Sequence, residues 1–200
     1  MRIIGLTGGI GCGKSEAGRR FSENGIPVLD ADEIAHELIA PGGAAEQAVL
    51  DALGGDILVR GRIDRARVAE KVFGHPERLE RLNAIMHPLV GMEIGRRCAA
   101  LAEAGHGTAV VEAALLAEQG RRDDYLQGLI LVLCAETDRV NRLVALRRLD
   151  RGEALRRIRA QTPPERKIPC ADWIIHNDGS LQHLYDQVDA IAKAIREADK

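Results

Sequence analysis

A glycine-rich segment at residues 8–15 constrains the fold of this chain more than any other stretch. It reads GGIGCGKS, and the apolar run at residues 3–6 before it has the β-branched character of a buried strand. The spacing Gly8-x-x-x-x-Gly13-Lys14-Ser15 is the phosphate-binding loop pattern, which stands between a strand and a helix. The sequence therefore predicts an α/β fold of the P-loop NTPase type, with a parallel sheet flanked by helices.

The residue types in this loop indicate its chemistry. Glycines allow successive backbone N–H groups to form a concave nest for an anion, and the following helix N-terminus adds partial positive charge. We expect Lys14 to bridge the outer phosphates of a nucleotide and the Ser15 hydroxyl to ligate a phosphate-bound Mg²⁺. A bare glycine turn, the alternative, would leave the lysine and the hydroxyl without a purpose. The residues assigned to nucleotide binding are Gly8, Gly9, Ile10, Gly11, Cys12, Gly13, Lys14, Ser15 and Glu16.

Composition limits the possible classes of protein. A chain of 200 residues with 46% hydrophobic residues can bury a full core, but only 2% are aromatic, so platforms for stacking bases are scarce. The net charge of −2 gives no global attraction to nucleic acid or to an anionic membrane. The four cysteines form no C-x-x-C pair, and neither a leader nor a long apolar run is visible. These features predict a cytoplasmic location, with no membrane and no nucleic acid as partners.

A pair of aspartates follows the second predicted strand. Residues 27–29 run directly into Asp30 and Asp32, and a parallel strand here would bring both carboxylates to the sheet edge that carries the loop. The competing interpretation is helix capping, because Asp30 precedes Glu33 by three residues. The two interpretations are compatible, since one aspartate can cap while the other reaches a substrate.

The order of predicted elements divides the chain into three parts. Residues 1–33, 108–138 and 168–200 are expected to form a nucleotide-binding core. Residues 34–107 form a helical block too long for a plain crossover, which we expect to bind the acceptor substrate. Within it, Pro88 predicts a kink or a break after His87. Residues 139–167 are expected to form a lid.

Two further charged features bear on phosphate chemistry. The predicted strand Thr108–Glu112 ends in an acid at the edge where phosphate-loop enzymes keep a carboxylate for Mg²⁺, so Glu112 is assigned to the metal together with Ser15. Residues 139–167 contain ten Lys or Arg against three acids. A solvated helix face or a nucleic-acid patch could explain this charge, but guanidinium groups suit a transferring phosphate, which favours an arginine lid.

Several motifs in one order and spacing resemble the dephospho-coenzyme A kinase family. They are LTGGIGCGKS, VLDAD, LNAIMHP with His87 and Pro88, RIRAQ, and ADWIIHNDGS, and the match runs over residues 3–188. The resemblance implies transfer of the ATP γ-phosphoryl group to the ribose 3′-hydroxyl of dephospho-coenzyme A, with Mg²⁺. It also implies a nucleotide core, a helical coenzyme A domain and a lid.

The same resemblance implies individual roles. Asp32 is similar to the family's general base and Asp30 to its companion, while Arg142 and Arg147 are similar to arginines that touch phosphate. His87 and Pro88 are implied on the substrate side, without a mechanism. The chain departs from the family at Cys12, usually Ser, and at Glu16, usually Thr. It also departs at residues 112–118, where the family's proline and aromatic are replaced by alanines.

Other functions are compatible with parts of the pattern. Another small-molecule kinase, acting on a nucleoside or nucleotide, would share the loop, base and lid, and a nucleotide-binding protein without catalysis would share the loop. A GTP-dependent switch needs an Asn-Lys-x-Asp segment, which this chain lacks. We expect a monomer or a weak homo-oligomer. A thiol at a helix N-terminus should have a lowered pKa, so alkylation or oxidation of Cys12 is expected to inactivate the protein and ATP to protect it; the alternative is an inert loop thiol.

Overall fold

The computed structural model describes residues 1–114, 116–117 and 122–198. In chain order the strands are β1 (Arg2–Gly8), β2 (Val28–Asp30), β3 (Leu58–Val59), β4 (Arg62–Ile63), β5 (Thr108–Glu112), β6 (Gly128–Leu133) and β7 (Trp173–His176). The helices are α1 (Lys14–Glu23), α2 (Ala31–Leu38), α3 (Glu46–Leu53), α4 (Arg65–Val72), α5 (Pro76–Glu103), α6 (Glu136–Arg147), α7 (Arg151–Arg159) and α8 (Leu181–Glu197). The contacts divide the chain into two compact units, Met1–Leu29 with Ala100–Lys200, and Asp30–Ala99.

A five-stranded sheet of order β2-β5-β1-β6-β7 forms the centre of the first unit. The pairs β1–β5, β1–β6 and β6–β7 are parallel. Strand β1 lies in the middle. The chain passes from it to β2 and β5 on one side and then to β6 and β7 on the other, which makes its carboxyl end a topological switch point where α/β proteins bind ligands. The predicted parallel α/β fold is confirmed, and the phosphate loop (residues 8–15) leaves this switch point.

A mainly aliphatic core packs against this sheet. The residues of β6 are buried along almost its whole length, as the continuous run of Val, Leu and Ile predicts. Helices α1 and α8 contribute Phe21 and Leu184 to the same core as Ile4 and Ile130. Ser180 directly precedes an amphipathic stretch, which predicts a helix cap there, and the structure confirms it, because Ser180 Oγ accepts a hydrogen bond from the His183 amide over 3.2 Å.

Helices α6 and α7 pack on each other through a small core of their own, formed by Val140, Leu143, Ala154 and Ile158. The sequence predicts a helix over residues 138–148, which corresponds to the first of these, but none over α7. Helix α7 was missed because most of its residues are charged and only two of them are buried, which leaves too weak an apolar period to detect.

The second unit is mainly helical. Its core contains Val49, Leu53 and Ile57, against which one face of α5 packs on both sides of Pro88. A break after His87 is wrong, because α5 continues from Pro76 to Glu103 with Pro88 inside it. A proline removes one helical hydrogen bond, and the buried apolar face of α5 offsets that loss.

A small hairpin in the second unit was also missed. The sequence predicted a polar connection over residues 54–63, whereas β3 and β4 pair there in antiparallel register. Its two turn residues, Arg60 and Gly61, both have positive φ, 53° and 76°, as a two-residue hairpin requires. The turn lacks the usual asparagine or aspartate, so the sequence signal was weak.

Among the described residues, no helix combines the length and the apolar character needed to cross a membrane. Leu115 and Glu118, which belong to the segment that departs from the family pattern, lie outside the described residues.

Candidate active site

The phosphate loop connects β1 to α1 through residues that only glycine accommodates. Gly11 and Gly13 have φ of 77° and 92°, in the left-handed region that side chains disfavour. A Cβ atom at Gly13 would also lie 2.2 Å from Asn177 Nδ2. The Cys12 amide donates to the Gly9 carbonyl over 3.1 Å. These features hold the loop in a tight turn, with the backbone geometry expected of a phosphate nest.

The first turn of α1 brings a hydroxyl, an amine and a carboxylate close together. Ser15 Oγ donates to Glu112 Oε1 over 2.8 Å, and Glu112 is only 7% exposed at the end of β5. Lys14 Nζ donates to the Gly8 carbonyl over 3.1 Å, so the amine lies across the loop. Gly18 leaves space for the carboxylate, since a Cβ there would lie 2.8 Å from Glu112 Oε2. Hard oxygen donors at this point fit Mg²⁺, which prefers oxygen ligands and keeps substrate phosphates among them.

Arg142 on α6 supports the far side of the loop. Its Nη1 lies 3.3 Å from the Gly11 carbonyl and 3.4 Å from the Cys12 carbonyl. Its Nη2 donates to the backbone carbonyl of Asn177 over 2.9 Å. Asn177, just after β7, donates in turn to the Cys12 carbonyl over 2.8 Å. The family resemblance implied a phosphate contact for Arg142, whereas Asn177, which belongs to the ADWIIHNDGS segment, was assigned no role.

A second arginine of α6, Arg139, was not singled out from the basic segment. It is 5% exposed, and its Nε donates to the Ile10 carbonyl over 2.9 Å. Its Nη2 is buried without a hydrogen-bond partner among the described residues. On the same stretch of loop, Gln161 accepts a hydrogen bond from the Ile10 amide over 2.7 Å. The basic segment thus contacts the loop through the buried guanidinium of Arg139. Neither the hydrophobic periodicity nor the number of charges in the sequence shows that this arginine is buried.

Cys12 lies at the crest of the loop and is fully buried. The thiol of Cys134, hydrogen-bonded to Cys12, is the main cause that lowers the pKa of Cys12 to about 7, and the charges of Arg139 and Lys14 act in the same direction. Burial opposes them. The expected lowered pKa is confirmed, but its main cause is a second cysteine rather than the helix N-terminus.

The Glu16 carboxylate accepts hydrogen bonds from Arg19 on α1 and from Tyr185 on α8. Arg19 lowers the pKa of Glu16 through a hydrogen bond, and the Tyr185 hydroxyl, which also donates to this carboxylate, adds to the effect. Arg19 Nη2 lies 2.5 Å from Glu16 Oε1. The acid in the first helical turn therefore has a fixed positive neighbour, which balances the charge that replaces the family's usual threonine. Its role in nucleotide binding stays a prediction.

Asp30 and Asp32 begin the second unit and have different environments there. Asp30 Oδ1 accepts from the amides of Asp32 and Glu33, over 2.8 and 3.2 Å, which confirms the capping interpretation for this residue. Asp32 is exposed and lines a cavity of about 280 Å³. Their approach to a bound nucleotide stays a prediction.

The cavity beside Asp32, here called the acceptor cavity, has a mostly apolar wall that includes Ile39, Val68 and Met86. His36 and Arg65 also line it. His36 Nε2 is buried and has no hydrogen-bond partner among the described residues. Sequence reasoning gave this histidine no role, because its spacing fits no metal site.

The other predicted substrate contacts lie on exposed surface. His87 and Pro88 are exposed on α5, and Arg147 is exposed at the last position of α6. Arg148 follows with φ of 54° and ends that helix in the left-handed conformation. The roles of His87, Pro88 and Arg147 stay predictions.

Comparison with known proteins places this geometry in context. A family model described as dephospho-CoA kinase matches residues 2–183. A dephospho-CoA kinase of Bdellovibrio bacteriovorus is 40% identical over 198 residues, which is 98% of each chain. A solved structure of a protein from Thermus thermophilus has 36% identity and a TM-score of 0.82, covering 98% of this chain and 97% of its own. A dephospho-CoA kinase from Campylobacter jejuni covers both chains fully with a TM-score of 0.71, and at 22% identity it shows a shared fold.

Proposed function

Because the chain belongs to the dephospho-CoA kinase family, it phosphorylates dephospho-CoA, and we propose that the γ-phosphoryl group of ATP passes from the phosphate loop to the ribose 3′-hydroxyl. The products are coenzyme A and ADP, so the reaction is the last step of coenzyme A synthesis. The roles of individual residues below are part of this proposal.

The observation that carries the proposal is the group formed by Lys14, Ser15 and Glu112. The hydroxyl and the carboxylate are hydrogen-bonded over 2.8 Å, and the amine lies across the same loop. Phosphoryl transfer depends mainly on positioning and on neutralising charge at the phosphates, since the protein takes little covalent part. Lys14 neutralises the outer phosphates, and the backbone amides of the loop orient them.

The Ser15 hydroxyl oxygen would be a ligand of Mg²⁺. The Glu112 carboxylate would either orient that hydroxyl or bind the ion itself. When bound, Mg²⁺ supplies positive charge to the β- and γ-phosphate oxygens. Among the described residues, no group of three or more His, Cys, Asp or Glu forms a cage for a metal ion. This agrees with a magnesium ion that relies on nucleotide phosphates and one or two protein oxygens.

Asp32 acts as the general base for the acceptor hydroxyl. A ribose hydroxyl is a poor nucleophile at neutral pH, and a carboxylate within hydrogen-bond reach can accept its proton as the new bond forms. Asp32 is suited to this because its side chain is exposed on the cavity wall, whereas Asp30 is occupied by the cap of α2. General base catalysis contributes about 10²- to 10⁴-fold.

Arg142 and Arg139 support the transition state from α6. Both guanidinium groups contact loop carbonyls, and they bring two positive charges to the loop that holds the phosphates. Fixed charges in a buried setting stabilise a developing negative charge more than charges in water do. Arg147 is proposed to contact phosphate from the exposed end of α6.

The acceptor cavity is proposed to hold part of dephospho-CoA. It combines an apolar wall with Arg65, whose charge suits a phosphate of the acceptor, and with the buried Nε2 of His36. An unpaired buried nitrogen costs free energy, and a ligand that supplies a hydrogen-bond partner regains it. His36 is therefore proposed to select an acceptor that places a polar group within hydrogen-bond distance of its Nε2 atom.

A coupled ADP-release assay tests the function directly. Dephospho-CoA should be phosphorylated with a kcat/KM at least a hundredfold above those for adenosine, AMP, CMP and shikimate. A Lys14→Ala variant should lose this activity while its circular dichroism spectrum stays unchanged. Equal turnover of AMP or CMP would favour a nucleotide kinase, and ATP binding without turnover of any acceptor would favour a protein that has lost catalysis.

A further inference from the structure

Two cysteines from different parts of the first unit meet at the phosphate loop. Cys12 belongs to the loop, and Cys134 directly follows β6, where it packs against the core cluster that contains Cys12. One nitrogen of Arg142 links them, because Nη1 lies 3.3 Å from Cys134 Sγ and 3.4 Å from the Cys12 carbonyl. Both cysteines are free thiols in this structure. We call Cys12 and Cys134 the thiol pair.

The two members of the thiol pair differ in chemical character. The pKa of Cys12 is lowered to about 7, mainly by the hydrogen bond from Cys134. The same hydrogen bond raises the pKa of Cys134, which therefore stays protonated. A thiolate in contact with a thiol is the arrangement from which a disulfide forms readily. Cys98, by contrast, is buried in the second unit, and desolvation raises its pKa.

We propose that Cys12 and Cys134 form a reversible disulfide under mild oxidation, with a peroxide as the oxidant, and that this disulfide switches off the nucleotide site. The effect on activity rests on the proposed role of the phosphate loop in binding ATP. The disulfide itself rests on the position of Cys134, which packs against the core cluster that contains Cys12 and lies 3.3 Å from the Arg142 nitrogen beside the Cys12 carbonyl.

The reaction balances in two steps. The Cys12 thiolate attacks one oxygen of hydrogen peroxide, the O–O bond breaks, hydroxide leaves, and Cys12 becomes a sulfenic acid. The Cys134 sulfur then attacks the Cys12 sulfur, the S–O bond breaks, and water leaves with the thiol proton. The two thiols together lose two electrons, and the peroxide is reduced to water and hydroxide.

A small oxidant can reach the thiol pair from the side of Cys134. Cys134 is partly exposed and lines a cavity of about 320 Å³ together with Arg139 and Gln161. Cys12 is fully buried, so its thiolate meets an oxidant only when the loop opens, and a small peroxide needs the least opening. A small peroxide is therefore the class of oxidant that suits this site.

The disulfide would change the loop that binds phosphate. An S–S bond is ~2.05 Å long, so forming it draws Cys12 toward the end of β6. The Cys12 carbonyl is held by Asn177 and Arg142, and the neighbouring amides would have to move with it. A nest of amides binds phosphate only when its N–H groups converge, so we expect kcat/KM for ATP to fall at least tenfold.

The test is to treat the full-length enzyme with hydrogen peroxide and to measure both the covalent product and the activity. Mass spectrometry of the unreduced protein should show the loss of two hydrogens, and digestion should yield a peptide pair that joins Cys12 to Cys134. Kinase activity with dephospho-CoA should fall at least tenfold and return with dithiothreitol. Each variant is compared with its own untreated activity.

Matched variants separate this disulfide from general oxidation. Cys98→Ser should behave as the unaltered chain does. Cys134→Ser should give no crosslinked peptide, and its Cys12 should be recovered as a sulfenic acid, which the unaltered chain converts into the disulfide. A crosslink to another cysteine, or no crosslink in the unaltered protein, would overturn the proposal. A crosslink without loss of activity would overturn the switch, whereas failure of the untreated enzyme to phosphorylate dephospho-CoA would overturn the proposed function instead.

Discussion

The side-chain amide of Asn177 donates a hydrogen bond to the backbone carbonyl of Cys12 over 2.8 Å. These residues are far apart in sequence, and the contact ties the end of β7 to the crest of the phosphate loop. Arg142 strengthens the tie, because it donates to the Asn177 backbone and lies beside the same Cys12 carbonyl. The shape of the loop therefore depends on side chains outside it as well as on its own glycines.

Asn177→Ala should weaken both the fold and ATP binding. Asn177 is 7% exposed, so the substitution leaves the Cys12 carbonyl with one partner fewer in a buried place. We expect a loss of about 1–3 kcal/mol in the free energy of unfolding. We also expect KM for ATP to rise at least severalfold. Urea unfolding and steady-state kinetics measure the two effects. Asn24→Ala is the control, since it removes hydrogen bonds to Arg20 and Asp189 away from the loop and should affect stability alone.

Asp32→Asn should abolish most of the turnover and leave ATP binding nearly intact. A carboxamide cannot accept the hydroxyl proton, so kcat should fall about 10²- to 10⁴-fold. Asp30→Asn is the matched control, because asparagine caps a helix as well as aspartate does and should keep α2 in place. Kinetics with dephospho-CoA and titration of ATP by calorimetry measure these quantities. Unchanged turnover in Asp32→Asn would remove its assigned role.

Glu112→Gln should raise the Mg²⁺ concentration needed for half-maximal activity. Glutamine can still accept the hydrogen bond from Ser15, but it lacks the negative charge that favours a cation. Loss of a group that orients or charges a metal site costs roughly 10- to 100-fold in metal affinity. Activity measured over a range of Mg²⁺ at saturating ATP gives this value. Glu23→Gln at the last position of α1 serves as the control. An equal rise in the required Mg²⁺ concentration in both variants would contradict a role of Glu112 at the metal.

His36→Phe should raise KM for dephospho-CoA without changing KM for ATP. Phenylalanine fills a similar volume but lacks the nitrogen that is buried without a partner among the described residues. One hydrogen bond contributes about 0.5–1.5 kcal/mol, which corresponds to a change of about 2- to 13-fold. His75→Phe replaces an exposed histidine of the same unit and should leave both constants unchanged. A KM for dephospho-CoA that stays constant in His36→Phe would remove this contact from the proposal.

The titration of Cys12 should be visible near neutral pH. Its pKa lies at about 7 instead of 9.0, so the thiolate should form as the pH rises through 7, two units earlier than an ordinary thiol. The ultraviolet absorbance of the thiolate measures this step without requiring a reagent to enter the site. Cys134→Ala removes the hydrogen-bond donor that lowers the pKa most, so the midpoint should rise. An unchanged midpoint would assign the shift to Arg139 and Lys14.

ATP bound at the loop should slow the alkylation of Cys12. The thiol is buried at the crest of the proposed phosphate nest, and a reagent reaches it only when the loop opens. A nucleotide that holds the loop closed reduces this opening. Peptide mapping after treatment with iodoacetamide, with and without Mg-ATP, measures the rate at Cys12. Equal rates in both conditions would contradict the expectation.

The sequence by itself determined the features whose signals are local. Glycines spaced over residues 8–13 and followed by Lys14 and Ser15 specify a phosphate loop, because backbone φ angles and the helix N-terminus depend on adjacent residues. The buried run of β6 and the caps at Asp30 and Ser180 were also predicted, since burial on both faces and capping each leave a mark within a few residues.

Only the tertiary structure decided which distant side chains support the loop. Asn177 and Arg139 bond loop carbonyls, and Cys134 lies beside Arg142, which contacts the same loop, because parallel strands end at one edge of the sheet. Their residue types alone do not show this. Pro88 shows that a local signal can also mislead. The proline favours a break in the helix, but the packing of α5 on its core offsets this preference. Contacts between residues far apart in the chain depend on the whole packing, so their partners follow from the folded structure and not from spacing.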